Sequence, residues 1–200
     1  MNPSQRTAFV TAVRLAGWVE RFTAAHQGLA DTADTDDGVV LAMRDGATAL
    51  LTPPWPDDGR PGRGAGLVDR LVSLSAQERR LGLVLVRRGG YAVGISVGGA
   101  LLAHKVGTAP ARSRGTDQGA AVVERAAAEA ARIFTGEGFE YLGTGGDRQL
   151  VDSTLATPQL RSVALRSRLE PLPVAEPKLA VLEKAAADFA AVRIRVTDGG

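Results

Sequence analysis

The chain has 200 residues, 44% of them hydrophobic, and a formal net charge of +2 at neutral pH. That length fits one domain, or one domain with a small appendage, with enough apolar residues to bury a core and no global basicity to announce a nucleic-acid binder. There is no cysteine and the two histidines, His26 and His104, lie far apart, which excludes disulfides and thiolate metal sites and argues against a zinc site.

No apolar run reaches the ~18 residues of a membrane span, and no basic stretch followed by an apolar one opens the chain. The expectation is a cytoplasmic protein with no membrane partner.

From the N-terminus, Phe9, Ala12, Ala16, Val19 and Phe22 recur at helical spacing. They predict a helix over 4–27, stopped by Gly28. Two short strands follow, Val39–Met43 and Thr48–Leu51, joined at the hairpin signal Asp45-Gly46. Together these make a small α-β-β unit, residues 1–52. Residues 52–66, TPPWPDDGRPGRGAG, have the composition of a linker. With a short helix carrying Leu67, Leu71 and Leu74, residues 53–79 form the connection to a second domain, 80–200.

That domain opens with an almost unbroken apolar run, Leu81–Val86, suited to a strand buried on both faces. Tyr91, Val93, Ile95 and Val97 alternate with Ala92, Gly94 and Ser96, giving a second strand with one bulky and one small face. Leu101–Val106 is the third. Residues 108–117 lack an apolar pattern and contain Pro110, Ser113 and Gly115, so an extended or poorly ordered loop is expected there.

Val122, Val123, Ala126, Ala130 and Ile133 then mark an Ala-rich helix. A strand at Glu140–Gly143 leads through Thr144-Gly145-Gly146-Asp147 into a helix from Arg148. Pro158 opens another short helix. Leu169–Val174 reads as an edge strand, Leu179, Leu182, Ala186 and Phe189 as a last helix, and Val192–Val196 as a final strand.

Three strands followed by alternating helices and strands predict an α/β fold, a ribonuclease-H-like mixed sheet with flanking helices, preceded by the small α-β-β unit. The three strands contain no Asp or Glu. The clustered carboxylates that a metal-dependent nuclease on such a sheet needs are therefore missing, and no metal site is expected.

Charge is unevenly spread. Residues 1–58 hold eight acids and four bases, whereas 79–116 hold Arg79, Arg80, Arg87, Arg88, Lys105, Arg112 and Arg114 and no acid. A one-signed patch is the footprint that a phosphate backbone attracts, although a solvated basic rim has the same composition.

Within this stretch, Gly115-Thr116-Asp117-Gln118-Gly119 offers a neutral amide flanked by glycines, or simply a helix start capped by Thr116 or Asp117. Arg112 and Arg114 are phosphate contacts or exposed loop charges. Arg87-Arg88-Gly89-Gly90 is a charged hairpin turn or a further phosphate contact. Thr144–Asp147 is a capped turn or an anion site at a helix N-terminus, the latter implying an enzyme that binds a small anion.

Taken together, LVLVRRGGYAVGISVGGALLAHKVGT, then Gly115-Thr116-Asp117-Gln118, the Ala-rich helix and TGGDRQLVDSTLATPQL resemble the Vms-like release factors of actinobacteria. These are relatives of the eukaryotic ankyrin-repeat and zinc-finger peptidyl-tRNA hydrolase. They share a core with the middle domain of the eukaryotic-type peptide release factor. The likeness spans roughly residues 80–185, and WVERF and DGATALLTPPW resemble the N-terminal unit of bacterial members.

The resemblance implies hydrolysis of the peptidyl-tRNA ester on stalled or obstructed large ribosomal subunits, or cleavage near the tRNA 3′ end. Large-subunit rRNA and peptidyl-tRNA would be the partners, with no cofactor. By position in the loop, Gln118 matches the family's catalytic glutamine and Gly115 the glycine three residues before it. Lys105, Arg112 and Arg114, with Arg87 and Arg88, would hold RNA phosphates.

The chain departs from the family pattern of paired glycines, a serine before the glutamine and an Arg-rich helix after it. It has Arg114-Gly115, Asp117, and a helix with Glu124 and Glu129 beside Arg125 and Arg132. A non-catalytic ribosome- or tRNA-binding relative with an eroded glutamine loop is the alternative.

Overall fold

In the computed structural model, which describes residues 5–108 and 118–199, the chain begins with a strand, β1 (Gln5–Val10), and only then enters a helix, α1 (Ala12–Ala25). The helix expected over 4–27 is therefore shortened at its start. β1 pairs antiparallel with β10 (Val192–Thr197), Gln5 opposite Thr197 and Val10 opposite Val192. A partner at the far end of the chain leaves no local signal, so Phe9 reads as part of the helical stripe.

α1 keeps its expected inner face, with Leu15 and Phe22 buried. β2 (Leu29–Thr35) has no counterpart in the sequence reading, because LADTADT is polar and mostly exposed. β3 (Gly38–Met43) and β4 (Thr48–Thr52) form the expected hairpin, and Gly46 takes φ +87° at its turn.

The strand order is β1-β10-β4-β3-β2. Leu15, Phe22, Leu41, Leu51 and Ile194 belong to the core of this unit, joined by Leu71 of α2 (Leu67–Ser75). The unit comprises Met1–Gln77 and Asp188–Gly200. Its sheet is thus five-stranded, not the two strands of an α-β-β unit, and the final strand belongs here instead of to the second domain.

The expected linker is packed as well. Trp55 is 2% exposed. A Cβ on Gly62 would collide with the Arg70 carbonyl of α2, and the Gly66 amide donates to Asp69 Oδ2 at 3.1 Å. Pro and Gly at this density mark irregular backbone, and here that backbone lies against a helix.

The second unit, Glu78–Ala187, is built on β5 (Arg80–Arg87), whose Leu81, Leu83, Val84, Leu85 and Val86 are at most 1% exposed. β6 (Gly90–Val97) pairs antiparallel with β5, and β7 (Ala100–Thr108) antiparallel with β6. The chain returns through α3 (Gln118–Gly136) to β8 (Tyr141–Gly146), parallel to β5 on its other side.

α4 (Arg148–Leu155), a 3-10 turn (Pro158–Leu160) and α5 (Arg161–Ala164) lead to β9 (Ser167–Arg168), and α6 (Leu179–Phe189) carries the chain back to the first unit. The order β7-β6-β5-β8-β9 is the expected mixed sheet of the ribonuclease-H-like kind. α3 lays Val122, Ala126, Ala130 and Ile133 on Val84, Val93 and Ile95 as one core.

The edge strand expected at Leu169–Val174 is reduced to β9 and one bridge from Gly145 to Leu172. Pro171 and Pro173 lack the amide hydrogens that would extend the ladder.

The motif glycines have a packing reason. A Cβ on Gly90 would stand 2.5 Å from the Gly107 carbonyl oxygen, and one on Gly94 2.8 Å from that of Ala103. A Cβ on Gly107 would enter the Tyr91 ring, and one on Gly145 would come 2.7 Å from Val174 Cγ2. Gly146 combines φ +102° with a Cβ position against the Val86 carbonyl oxygen. Gly146→Ala is expected to lower unfolding free energy by at least about 1 kcal/mol in urea titration, since both its backbone angle and its space oppose a side chain.

Candidate functional site

Strand register gathers the candidate motifs at one end of the second sheet. Val86 pairs with Tyr91 on one side and Gly146 on the other, and Gly90 pairs with Thr108. The Arg87–Gly90 turn, the last residue of β7 and the end of β8 therefore share one end. α3 begins at Gln118, with nine residues of sequence between it and the last residue of β7, and runs back over the sheet. The expected loop, with Arg112, Arg114 and Gly115, lies outside the described residues apart from Thr108, which closes β7.

Gln118 is the first residue of α3 and is half-buried, with Gly119 buried behind it. Lys105 is exposed on the edge strand β7 opposite Val93, three residues before the strand end. By strand alternation it shares the face of Tyr91, Val93 and Ile95, the one that α3 covers.

The remaining bases of the one-signed stretch have different fates. Arg79 is 1% exposed and donates to the Tyr141 hydroxyl at 2.6 Å. Arg80 pairs with Glu137 at 2.8 Å. Arg87 donates to the Val174 carbonyl at 2.9 Å, tying the segment after β9 to the end of β5. Arg88 is exposed and has no partner among the described residues. Among the described bases of the stretch, Arg88 and Lys105 are thus the ones exposed without a partner.

One cation escaped the sequence reading. Arg148, the first residue of α4, is 95% exposed at this same end and only loosely paired, 3.8 Å from Asp152. Its signal in the sequence is Gly146-Asp147-Arg148, a cation directly after a helix cap.

Asp147 decides the Thr144–Asp147 turn. Its carboxylate accepts from the Gln149 amide at 3.0 Å and the Leu150 amide at 3.3 Å. The amides that would receive an anion at the start of α4 are already satisfied by a side chain of the same charge. The small-anion reading of this turn is corrected accordingly. Beside the patch, burial raises the Tyr91 phenol above its ordinary pKa, with the Glu129 charge adding to the effect and Arg125 opposing it. Among the described residues, no three His, Asp or Glu side chains converge to hold a metal ion, and no helix is long and apolar enough to cross a membrane.

Residues 111–195 match the family model described as the Actinobacteria/chloroflexi VLRF1 release factor. This segment, somewhat under half of the chain, is thus similar to that release-factor family. The match begins inside the loop before Gln118 and runs through β8, α4 and α6 into β10. No curated protein matches the chain. Among solved structures, it is similar to Archaeoglobus fulgidus Pelota at 10% identity and a TM-score of 0.35, over 92% of this chain and 61% of that one. The chain thus spans about three fifths of that protein's length.

Two neighbouring arginines are expected to separate. Arg87→Ala should cost about 1 kcal/mol of stability through the lost bond to Val174, whereas Arg88→Ala should leave the melting curve within experimental error. Thermal melts of the two single variants test this. Asp147→Ala should likewise cost about 1 kcal/mol, through the uncapped start of α4, read by urea denaturation.

Proposed function

We infer that this chain is a ribosome-associated release factor that hydrolyses the peptidyl-tRNA ester on stalled or obstructed large subunits. One observation carries the reading. Gln118 heads α3 directly after the basic loop, at the sheet end where Arg88 and Arg148 are exposed. The VLRF1 match starting at residue 111 supports it.

An uncharged amide has one acceptor and two donors, so it can hold a water against an ester carbonyl without titrating. The water oxygen bonds to the carbonyl carbon, the bond to the tRNA 3′ oxygen breaks, and a proton passes to that leaving oxygen. The contribution of Gln118 is positional, turning attack by bulk water into attack by an oriented one. Gly115 gives backbone clearance in a crowded RNA environment, while Gly119, buried in α3, lets the helix start pack closely behind Gln118. Lys105, Arg88, Arg112 and Arg114 fix phosphates of rRNA or tRNA, contacts that position without reading sequence. Arg87, engaged with Val174, contributes through the turn it anchors.

The charges around Gln118 favour one other reading, a ribosome- or tRNA-binding relative without hydrolysis. Asp117 precedes the glutamine, Glu124 and Glu129 sit on α3, and Arg132 is spent on Glu129 at 2.9 Å. Each lost phosphate contact weakens binding and its salt dependence.

Single-turnover release from complexes of 50S subunits with peptidyl-tRNA separates the two. Gln118→Ala should pellet with the subunits as the parent does, while its release rate falls about 100-fold or more. Undiminished release in the variant refutes the assignment of Gln118. Binding without release by the parent selects the non-catalytic reading.

A further inference from the structure

We propose that the groove between β1 and α1 of the first unit binds single-stranded nucleic acid, one base lying on Trp18 and a neighbouring phosphate on Arg21. The groove has a volume of about 370 Å³ and is lined by Arg6, Trp18, Arg21, Phe22, His26 and Val196 among others. Its size falls within that of small-ligand sites, roughly 300–1,000 Å³.

Trp18 and Phe22 lie four apart on one face of α1, and His26 follows at the residue that caps its C-terminal end. The Trp18 and Phe22 rings stack with centroids 4.9 Å apart at 14°, and Phe22 meets the His26 ring at 4.5 Å and 49°. Phe22 is buried and braces Trp18 within the core, while Trp18 stays half-exposed at the groove. A fixed indole with an open side is a stacking platform, and every base has a face to offer it.

Arg21 is the charge at this platform that no acid offsets among the described residues. Among the described residues, no carboxylate lines the groove itself. Asp198 holds Arg6 at 2.6 Å and Asp45 holds the His26 imidazole at 2.9 Å, each orienting a lining residue. The Ala47 amide, helped by His26 and opposed by desolvation, keeps the Asp45 carboxyl below its ordinary pKa, so this acid stays ionised beside the ring. Arg21 is exposed, lies three residues from Trp18, and has no ion-pair partner among the described residues. The acids Asp31, Asp34, Asp36 and Asp37 fall instead on β2 and the turn that follows it. An aromatic platform beside an open guanidinium matches the base-and-phosphate repeat of a single strand.

The chain carries two tryptophans, and Trp55 is 2% exposed, so quenching of intrinsic fluorescence reports on Trp18. Titration of the full chain with oligo(U) of roughly eight nucleotides, a length typical of single-strand sites, should quench this emission. Anisotropy of the labelled oligonucleotide should show at least about tenfold weaker binding for Trp18→Leu and for Arg21→Ala, with Trp18→Phe close to the parent. Arg21 is exposed, so its variant tests the site even if Trp18→Leu disturbs the core.

Arg112→Ala with Arg114→Ala should leave the Trp18 quench in place, which separates this groove from the release-factor site. No quench with oligo(U), or unchanged affinity in Arg21→Ala, would overturn the proposal. Equal affinity for uridine monophosphate would replace the strand by a free nucleotide. Stronger quenching by a tyrosine-rich acidic peptide would reassign the groove to protein.

Discussion

The candidate site depends on the register of β5. Val86 sits between Tyr91 and Gly146, antiparallel on one side and parallel on the other. That arrangement fixes where the Arg87–Gly90 turn, the end of β7 and the start of α4 come out of the sheet. A slip of one residue would reverse the faces of β5 and send its two leucine and valine sets to the wrong layers. Burial of both faces of β5 prevents the slip, and the glycines make the neighbouring strands fit. Gly90, Gly94 and Gly107 admit β7 against β6, while Gly145 and Gly146 admit the segment around Leu172 and Val174 and the tight exit into α4. The glycine-rich motifs that single out this chain are first of all conditions for packing, and the functional arrangement is a consequence of that packing.

Electrostatics then selects among the charges that the sheet presents. A basic stretch without acids suggests a broad cationic face, but a guanidinium can also serve as an internal clamp. Arg79 is bound to Tyr141, Arg80 to Glu137 and Arg87 to the Val174 carbonyl. Arg79 is buried by its partner, while Arg80 and Arg87 keep some exposure but have guanidinium donors already engaged, which leaves less for a polyanion. Arg88, Lys105 and Arg148 remain for that purpose among the described residues, two of them at the sheet end and the third on the edge strand leading to it.

The second sheet was legible in the sequence because its signals are local. Leu81–Val86 is too apolar for anything but a buried strand, the Gly-Gly turns mark the hairpins, and Val122 to Ile133 repeat at helical spacing. In the first unit only the helix and the β3–β4 hairpin were legible, because its sheet closes through strands far apart in the sequence. Nothing near Gln5–Val10 announces Val192–Thr197, and β2 is an exposed polar edge whose pairing is carried by backbone. For the site, residue type could mark Gln118 and the arginines, whereas their availability depended on partners such as Val174, Tyr141 and Glu137, far away in sequence. Arg148 carries no signal beyond a helix start that Asp147 already explains, and a Trp-Phe spacing of four reads the same beside a groove as in a core stripe.

The central claim is that the end of the sheet carrying Gln118 faces the ester of peptidyl-tRNA. Crosslinking tests it most directly. A photoreactive residue placed at position 118 and another at position 136 occupy the two ends of α3, about 27 Å apart at 1.5 Å per residue. In 50S–peptidyl-tRNA complexes, the probe at 118 is predicted to crosslink to the 3′ end of the tRNA and the probe at 136 is not. Equal crosslinking from both positions, or crosslinking to the tRNA 3′ end from 136 alone, would contradict the account.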